Sequence, residues 1–323
     1  MRQVYINGKF VPENEAKISI YDSALMFGDM VFDMTRSYNK KQFKLREHIR
    51  RLFASAKYVE ISLNVTENEM EDICMQTIEK NDPYFLPTDE HRLFLNVSRG
   101  PLSTYSEIFN GKLEPTVIVA DFPLKWTIMG MGRLFDTGIN AIIPSQRAIP
   151  AHLMDPKVKN RSRLFYMMAN IEVSKYMGDN NWALLMDPDG FITEATGANF
   201  FMVKNGTIYT PEPRNILRGI SREYIFELAK ELNLQYYEKN LDLYDVVNAD
   251  EAFFTATPFS MLPVTSINRI AIGNGKRGNV FDKLLTQWSK NVGIDIEMQI
   301  KAFNAETNSE AGTSAYKFVQ KNR

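Results

Sequence analysis

Two lysines, one carboxylate and several anion-donor groups have the residue types and spacing to do chemistry. Lys157 and Lys159 stand in Asp-Pro-Lys-Val-Lys-Asn, residues 155–160, just ahead of a helix-like run. A lysine amine attacks a carbonyl only when desolvation or nearby positive charge keeps enough of it neutral. Either lysine could serve, and either could be an ordinary solvated side chain. Glu194 stands in Gly-Phe-Ile-Thr-Glu-Ala-Thr-Gly-Ala-Asn-Phe-Phe, residues 190–201, where an apolar strand ends in a loop containing Gly197. Such a loop lets backbone approach a ligand, and its carboxylate could face a protonated ring nitrogen. Leu217-Arg218-Gly219-Ile220-Ser221-Arg222 opens a helix, where free amides and the helix dipole favour a phosphate. A plain N-cap by Ser221 is the alternative. Thr255-Ala256-Thr257 offers hydroxyl donors between a strand and Pro258, and Arg51 follows Arg46-Glu47-His48 in a helix. An amine, a ring-facing carboxylate and phosphate donors are together what a pyridoxal phosphate enzyme needs.

These residues need elements to hold them. Residues 4–11 read as strand, turn, strand, with Asn7-Gly8 as the hairpin signal. Residues 22–29 read as a loop or short helix ending at Gly28, and 31–38 and 42–45 as strands. In 47–59, Ile49, Leu52, Phe53 and Ala56 share one helical face, and 67–80 forms a second helix. With strands at 92–98 and 116–121, residues 1–121 make a small α+β domain of helices on a mostly antiparallel sheet. Residues 122–133, with Pro123, Gly130 and Gly132, read as a linker. A larger domain at 134–303 follows, with helices at 163–177, 221–232 and 280–290 among strands. The polar stretch 304–323 reads as a flexible tail. Gly273 to Gly278 matches G-x-G-x-x-G, but Asn268 and Arg269 interrupt the run before it, so a turn before a helix is the better reading.

Composition narrows the classes. The 323 residues carry 38 Lys and Arg against 39 Asp and Glu, interspersed, which argues against a nucleic acid or membrane held by bulk charge. Cys74 is the single cysteine, so no intramolecular disulfide forms, and a reducing, cytoplasmic setting is expected. The start lacks a signal-peptide pattern. Four Asn-x-Ser/Thr triplets, at Asn64, Asn96, Asn160 and Asn205, are read as chance. His48, His91 and His152 have no metal-ligand spacing, and no metal is expected.

Taken in order, the pieces resemble the class IV aminotransferases, the fold type IV pyridoxal phosphate enzymes. Gly28-Asp29-Met30-Val31-Phe32-Asp33 is similar to that family's Gly-x-x-Val-Phe-Glu, with aspartate in place of glutamate. Phe43-Lys44-Leu45-Arg46-Glu47-His48-Ile49-Arg50-Arg51-Leu52 resembles its Phe-x-Leu-x-x-His-x-x-Arg-Leu. The Lys159 segment, residues 189–200, Leu217 to Arg222, residues 249–253 and Pro263-Val264 follow in the same order. The resemblance implies a two-domain fold with pyridoxal 5'-phosphate as cofactor and at least a homodimer. It assigns Lys159 as the Schiff-base lysine, because the spacing to Ala169 and Glu172 suits it better than Lys157. It puts Glu194 on the pyridine nitrogen and Leu217 against the ring. It puts Arg51, Ile220, Ser221 and Thr257 on the phosphate. The implied reaction passes an amino group from an amino acid or related amine to a 2-keto acid. Lys159 carries the proton between carbons.

Substrate signals conflict. Arg36 after Phe32 matches an arginine of the branched-chain enzymes, but Met34 replaces their glycine. Their Gly-Thr-Ala-Ala turn is Ala256-Thr257-Pro258-Phe259 here; Pro258 lacks an amide to hold a carboxylate, and Phe259 adds bulk. Leu164 stands in place of a tyrosine, closer to the D-amino acid and R-amine branches, and the run 150–160 also resembles the R-amine branch. Arg99, Arg147, Tyr105 and Trp126 are further pocket candidates, each with a packing role as the alternative. Branched-chain-like or broad specificity is the first expectation. A D-amino acid or R-amine transaminase is the second, and a lyase of the aminodeoxychorismate lyase type the third.

Overall fold

The computed structural model of the chain describes residues 1–305, with side chains to 303. Two compact units emerge: Met1–Leu124 with Val158–Arg163, and Lys125–Lys157 with the rest from Leu164.

Unit 1 begins with the hairpin β1 (Gln3–Ile6) and β2 (Lys9–Pro12), turned at Asn7-Gly8, both at positive φ. Then come α1 (Ser23–Phe27), β3 (Met30–Met34), the small pair β4 (Ser37–Tyr38) and β5 (Lys41–Gln42), α2 (Leu45–Tyr58), α3 (Glu67–Asn81), β6 (His91–Ser98) and β7 (Thr116–Pro123). The main sheet runs β2-β1-β7-β6-β3, antiparallel throughout. On one face Val31, Leu93, Leu95, Val97, Val117 and Val119 pack with Ile49, Leu52 and Ala56 of α2 and Met70, Ile73 and Cys74 of α3. Each such buried large apolar side chain contributes about 1.5–3 kcal/mol. Thr66 and Glu69 cap α3 reciprocally. Asp22 caps α1, and Gly28 ends it in the left-handed region at φ 67°.

Unit 2 holds α4 (Lys125–Ile128), α5 (Leu134–Thr137), β8 (Ile139–Ile142), α6 (Leu164–Val173), β9 (Asn181–Met186), β10 (Ile192–Ala195), β11 (Asn199–Lys204) and β12 (Thr207–Thr210). After these come α7 (Ile220–Glu231), β13 (Tyr236–Glu238), α8 (Leu243–Val247), β14 (Glu251–Ala256), β15 (Ser260–Ile267), β16 (Ile270–Ala271), α9 (Asn279–Val292) and α10 (Ile296–Ala305). The sheet runs β10-β9-β8-β15-β14-β11-β12-β13, and β10 also pairs with β11, which closes the first six strands into a ring. Phe200, Phe201, Phe253 and Phe254 of β11 and β14 are fully buried, as are Phe281 and Trp288 of α9.

The expected interdomain linker, residues 122–133, carries regular structure. Phe122 and Pro123 end β7, and Lys125–Ile128 is helical. Residues 158–163 belong with unit 1, not with the larger unit. The G-x-G-x-x-G run is a turn between β16 and α9, as read. The expected tail lies outside the described residues except for Asn304 and Ala305, which end α10.

Candidate active site

In unit 1 the lysine segment lies along the free edge of β3. Phe32 N donates to Lys159 O at 2.9 Å and Arg161 N to Met30 O at 2.8 Å, around an antiparallel bridge of Val31 with Asn160. The Lys159 amide donates to Ser55 Oγ of α2 at 3.2 Å, and Ser162 Oγ donates to Gly28 O at 3.1 Å. The half-buried Lys159 is thus fixed at both sheet edge and helix, with Nζ 4.9 Å from the Phe32 ring centre. Lys157 is held differently: its Nζ pairs with Asp155 at 2.9 Å inside its own loop.

Arg51 lies on the same helix as Ser55, and its guanidinium forks onto Asp33 of β3, Nε to Oδ2 and Nη2 to Oδ1, both at 2.8 Å. His48 Nδ1 meets the same carboxylate at 2.7 Å. Asp33 is fully buried, which alone would raise its pKa. Arg51 and His48 outweigh that burial and hold the carboxyl far below the ordinary range. Burial lowers the His48 pKa more than Asp33 raises it, and Arg51 and Lys159 lower it further. A neutral His48 donating its Nδ1–H to Asp33 follows.

Two substrate candidates sit elsewhere in the unit. Arg36 is buried at 1% exposure, 3.8 Å over the Tyr38 ring, with Nε donating to Ser37 O. Arg99 forks onto Asp29 at 2.6 and 3.3 Å and donates to the carbonyls of Val59 and Glu60. Tyr105 packs on Tyr21, ring centres 4.7 Å apart.

In unit 2 Glu194 is buried and accepts three hydrogen bonds: from the Tyr166 hydroxyl at 3.0 Å, Asn199 Nδ2 at 2.9 Å and the Leu217 amide at 3.2 Å. Glu194 and Asn199 are direct partners across β10 and β11, joined by a tight turn over Ala195 to Ala198. Asn199 Nδ2 also donates to Leu217 O, tying the segment before α7 to the same corner. That segment runs into Gly219, the N-cap of α7, with no side-chain cap, so Ile220 and Ser221 open the helix with the amides that suit an anion. Asn199 pairs with Thr255 across β11 and β14, so the strand leading to Thr257 and Pro258 starts beside Glu194's partner. Phe259 is buried edge-on to Trp182, ring centres 5.6 Å apart. Leu164 is exposed at the start of α6, Trp126 is exposed on α4, and Arg147 donates to Pro144 O.

Unit 1 offers an amine beside an aromatic ring and an arginine fork; unit 2 offers a carboxylate held by three donors and a helix start without a side-chain cap. Sequence reasoning did not link Asp33 and His48 to Arg51, although His48 and Arg51 are three apart on one helix face. It also missed Tyr166 and Asn199 as holders of Glu194, and Arg161.

The family model described as amino-transferase class IV matches residues 30–267. This chain belongs to the class IV aminotransferase family. A putative branched-chain-amino-acid aminotransferase of Methanocaldococcus jannaschii is 36% identical over 286 residues, 87% of this chain and 93% of that one. A D-alanine aminotransferase of Bacillus licheniformis is 29% identical over 306 residues, 94% and 99% of the two chains. The crystal structure of the Escherichia coli branched-chain amino acid aminotransferase superposes with TM-score 0.79 at 26% identity, covering 96% of this chain and 97% of that one. The chain is an aminotransferase of the two-domain fold type IV architecture. No helix among the described residues is long and apolar enough to cross a membrane.

Proposed function

We propose that this aminotransferase uses pyridoxal 5'-phosphate to move an amino group between a branched-chain-like or broad range of amino acids and a 2-keto acid. The observation that carries this is the triple hold on Glu194 by Tyr166, Asn199 and Leu217. A buried carboxylate fixed in orientation is what a protonated pyridine nitrogen requires. The rest of the donor set fits the same group. Lys159 supplies the Schiff-base amine, Leu217 packs on the ring, and Arg51, Ile220, Ser221 and Thr257 take the phosphate. When bound, the cofactor supplies a carbonyl carbon for the amine and a ring that withdraws electrons from the substrate carbon. Lys159 Nζ takes the proton from the substrate Cα and returns one to the keto acid's second carbon. Asp33 keeps the Arg51 guanidinium oriented through two hydrogen bonds. Phe32, Arg36, Arg99, Pro258 and Phe259 remain pocket candidates.

A D-amino acid preference is the second reading, supported by Leu164, Pro258 and the D-alanine relative. We also place the protein in the cytoplasm as a homodimer. Ile20, Leu25 and Phe27 of unit 1, exposed at 68, 63 and 68%, support an apolar contact with a second copy. The deciding assay pairs L-amino acids, D-amino acids and chiral amines with pyruvate and with 2-oxoglutarate. Keto-acid-dependent turnover of L-branched-chain substrates is expected. Product formation without any acceptor would move the assignment to a lyase.

A further inference from the structure

On the face of the unit 1 sheet opposite α2 and α3, Phe32 of β3 and Phe94 and Asn96 of β6 share a side, with Phe32 and Asn96 direct cross-strand partners. Arg161 lies over them. Its guanidinium carbon is 3.5 Å from the Phe32 ring centre and 4.6 Å from that of Phe94. Its Nε and Nη2 both donate to Asn96 Oδ1, at 3.1 and 2.9 Å. Its own amide is fixed to Met30 O. Backbone, side chain and both rings therefore hold one planar fork, and a neutral amide oxygen orients it. Asn96 is only 1% exposed, and its Nδ2 has no hydrogen-bond partner among the described residues. Leaving a buried amide donor unpaired costs stability, which the hold of Asn96 on Arg161 helps to offset.

Lys159 Nζ approaches the same Phe32 ring, at 4.9 Å from its centre. The guanidinium and the amine thus both border the one Phe32 ring. Arg36 is buried against Tyr38, and Arg99 is committed to Asp29 and two carbonyls. Resting on the aminotransferase reading, we propose that Arg161 receives the carboxylate next to the reacting carbon, and so selects amino and 2-keto acids over amines lacking that group. A guanidinium fork matches a carboxylate with two parallel hydrogen bonds, which a lysine cannot do.

The test titrates pyruvate calorimetrically into the cofactor-loaded full chain, into Arg161→Gln and into Arg161→Lys, recording the visible absorbance and the borohydride-fixed adduct of each. Arg161→Gln is expected to raise the pyruvate Kd at least tenfold, and Arg161→Lys at least threefold, with absorbance and adduct unchanged. Equal Kd in all three proteins, or no pyruvate binding by the unaltered chain, overturns the proposal. Loss of the absorbance together with pyruvate binding in both variants also overturns it, by assigning Arg161 to the cofactor. If the unaltered chain shows no adduct while pyruvate binding still depends on Arg161, the Lys159 reading fails and the carboxylate assignment stands. Should Arg161→Gln not fold, Arg161→Lys, which keeps the stem and charge over Phe32, decides the question alone.

Discussion

Asp33 shows how one side chain is made to serve others. A fully buried carboxylate is tolerated only because Arg51 and His48 both face it. Replacing it by Asp33→Asn leaves the Arg51 charge without its counter-charge, and a loss of about 3–5 kcal/mol in urea unfolding is expected. The folded pKa of Asp33 is depressed, so its contribution is present above the unfolded value of about 3.9 and is lost only as pH falls through the folded one. Stability should therefore show no titration from Asp33 across the neutral range. The two lysines separate on the same kind of evidence. Lys157→Ala removes only an ion pair within a loop and should keep the borohydride-fixed adduct. Lys159→Ala should abolish the adduct, measured as protein mass after reduction. The opposite pattern would transfer the chemistry to Lys157.

At the scale of elements, the corner of β10 and β11 and the start of α7 behave as one device. A Cβ on Gly219 would stand 2.0 Å from Asn199 Oδ1, so the glycine is demanded by close approach, its φ of −71° being ordinary. Gly219→Ala should push Asn199 off Glu194 and weaken cofactor binding at least tenfold in an absorbance titration, about 1.4 kcal/mol. Gly197 was the glycine that drew notice in the sequence, yet a Cβ there meets nothing within 4 Å. Gly197→Ala should leave stability within about 0.5 kcal/mol. The corner loop therefore owes its geometry to cross-strand pairing, and the steric constraint lies one segment away.

Stability of the whole molecule has its own pH sensor outside these clusters. His91 is buried, stacked on Phe85, with Nδ1 at 2.7 Å from Asp121 and Nε2 at 3.0 Å from Asp82. Lys40 also pairs with Asp82. Burial lowers the His91 pKa, but the bonds to Asp121 and Asp82 outweigh it and raise the pKa above its ordinary value. Burial raises the Asp121 pKa as well, against the pull of its bond to His91. A raised histidine pKa means stabilisation fully present below about pH 6.5 and lost as pH rises through the folded value. The melting-temperature gap between the protein and His91→Gln should be widest near pH 6 and narrow towards pH 9. A gap that widens with pH would contradict the assignment.

By itself the sequence determined the family, the order of its site segments and the faces of the amphipathic helices. These are local: Ile49, Leu52 and Ala56 are buried on α2, and Phe53 partly so, as a period read along one helix predicts. The motif order carried Glu194 and the start of α7 in the same way, because each is a turn or cap set by its neighbours. Only the tertiary structure decided which partners the long charged side chains take. Asp33 and Arg51 are 18 positions apart, and Asp29 and Arg99 are 70 apart. Nothing in the spacing told that Arg99 would staple a helix end. Nor did it tell that residues 158–163 would lie on the edge of β3, or that Arg161 would lie over Phe32. A charged side chain spans several ångströms and pairs with whatever the fold brings within reach, so its role is settled by distance in space and not by position in the chain.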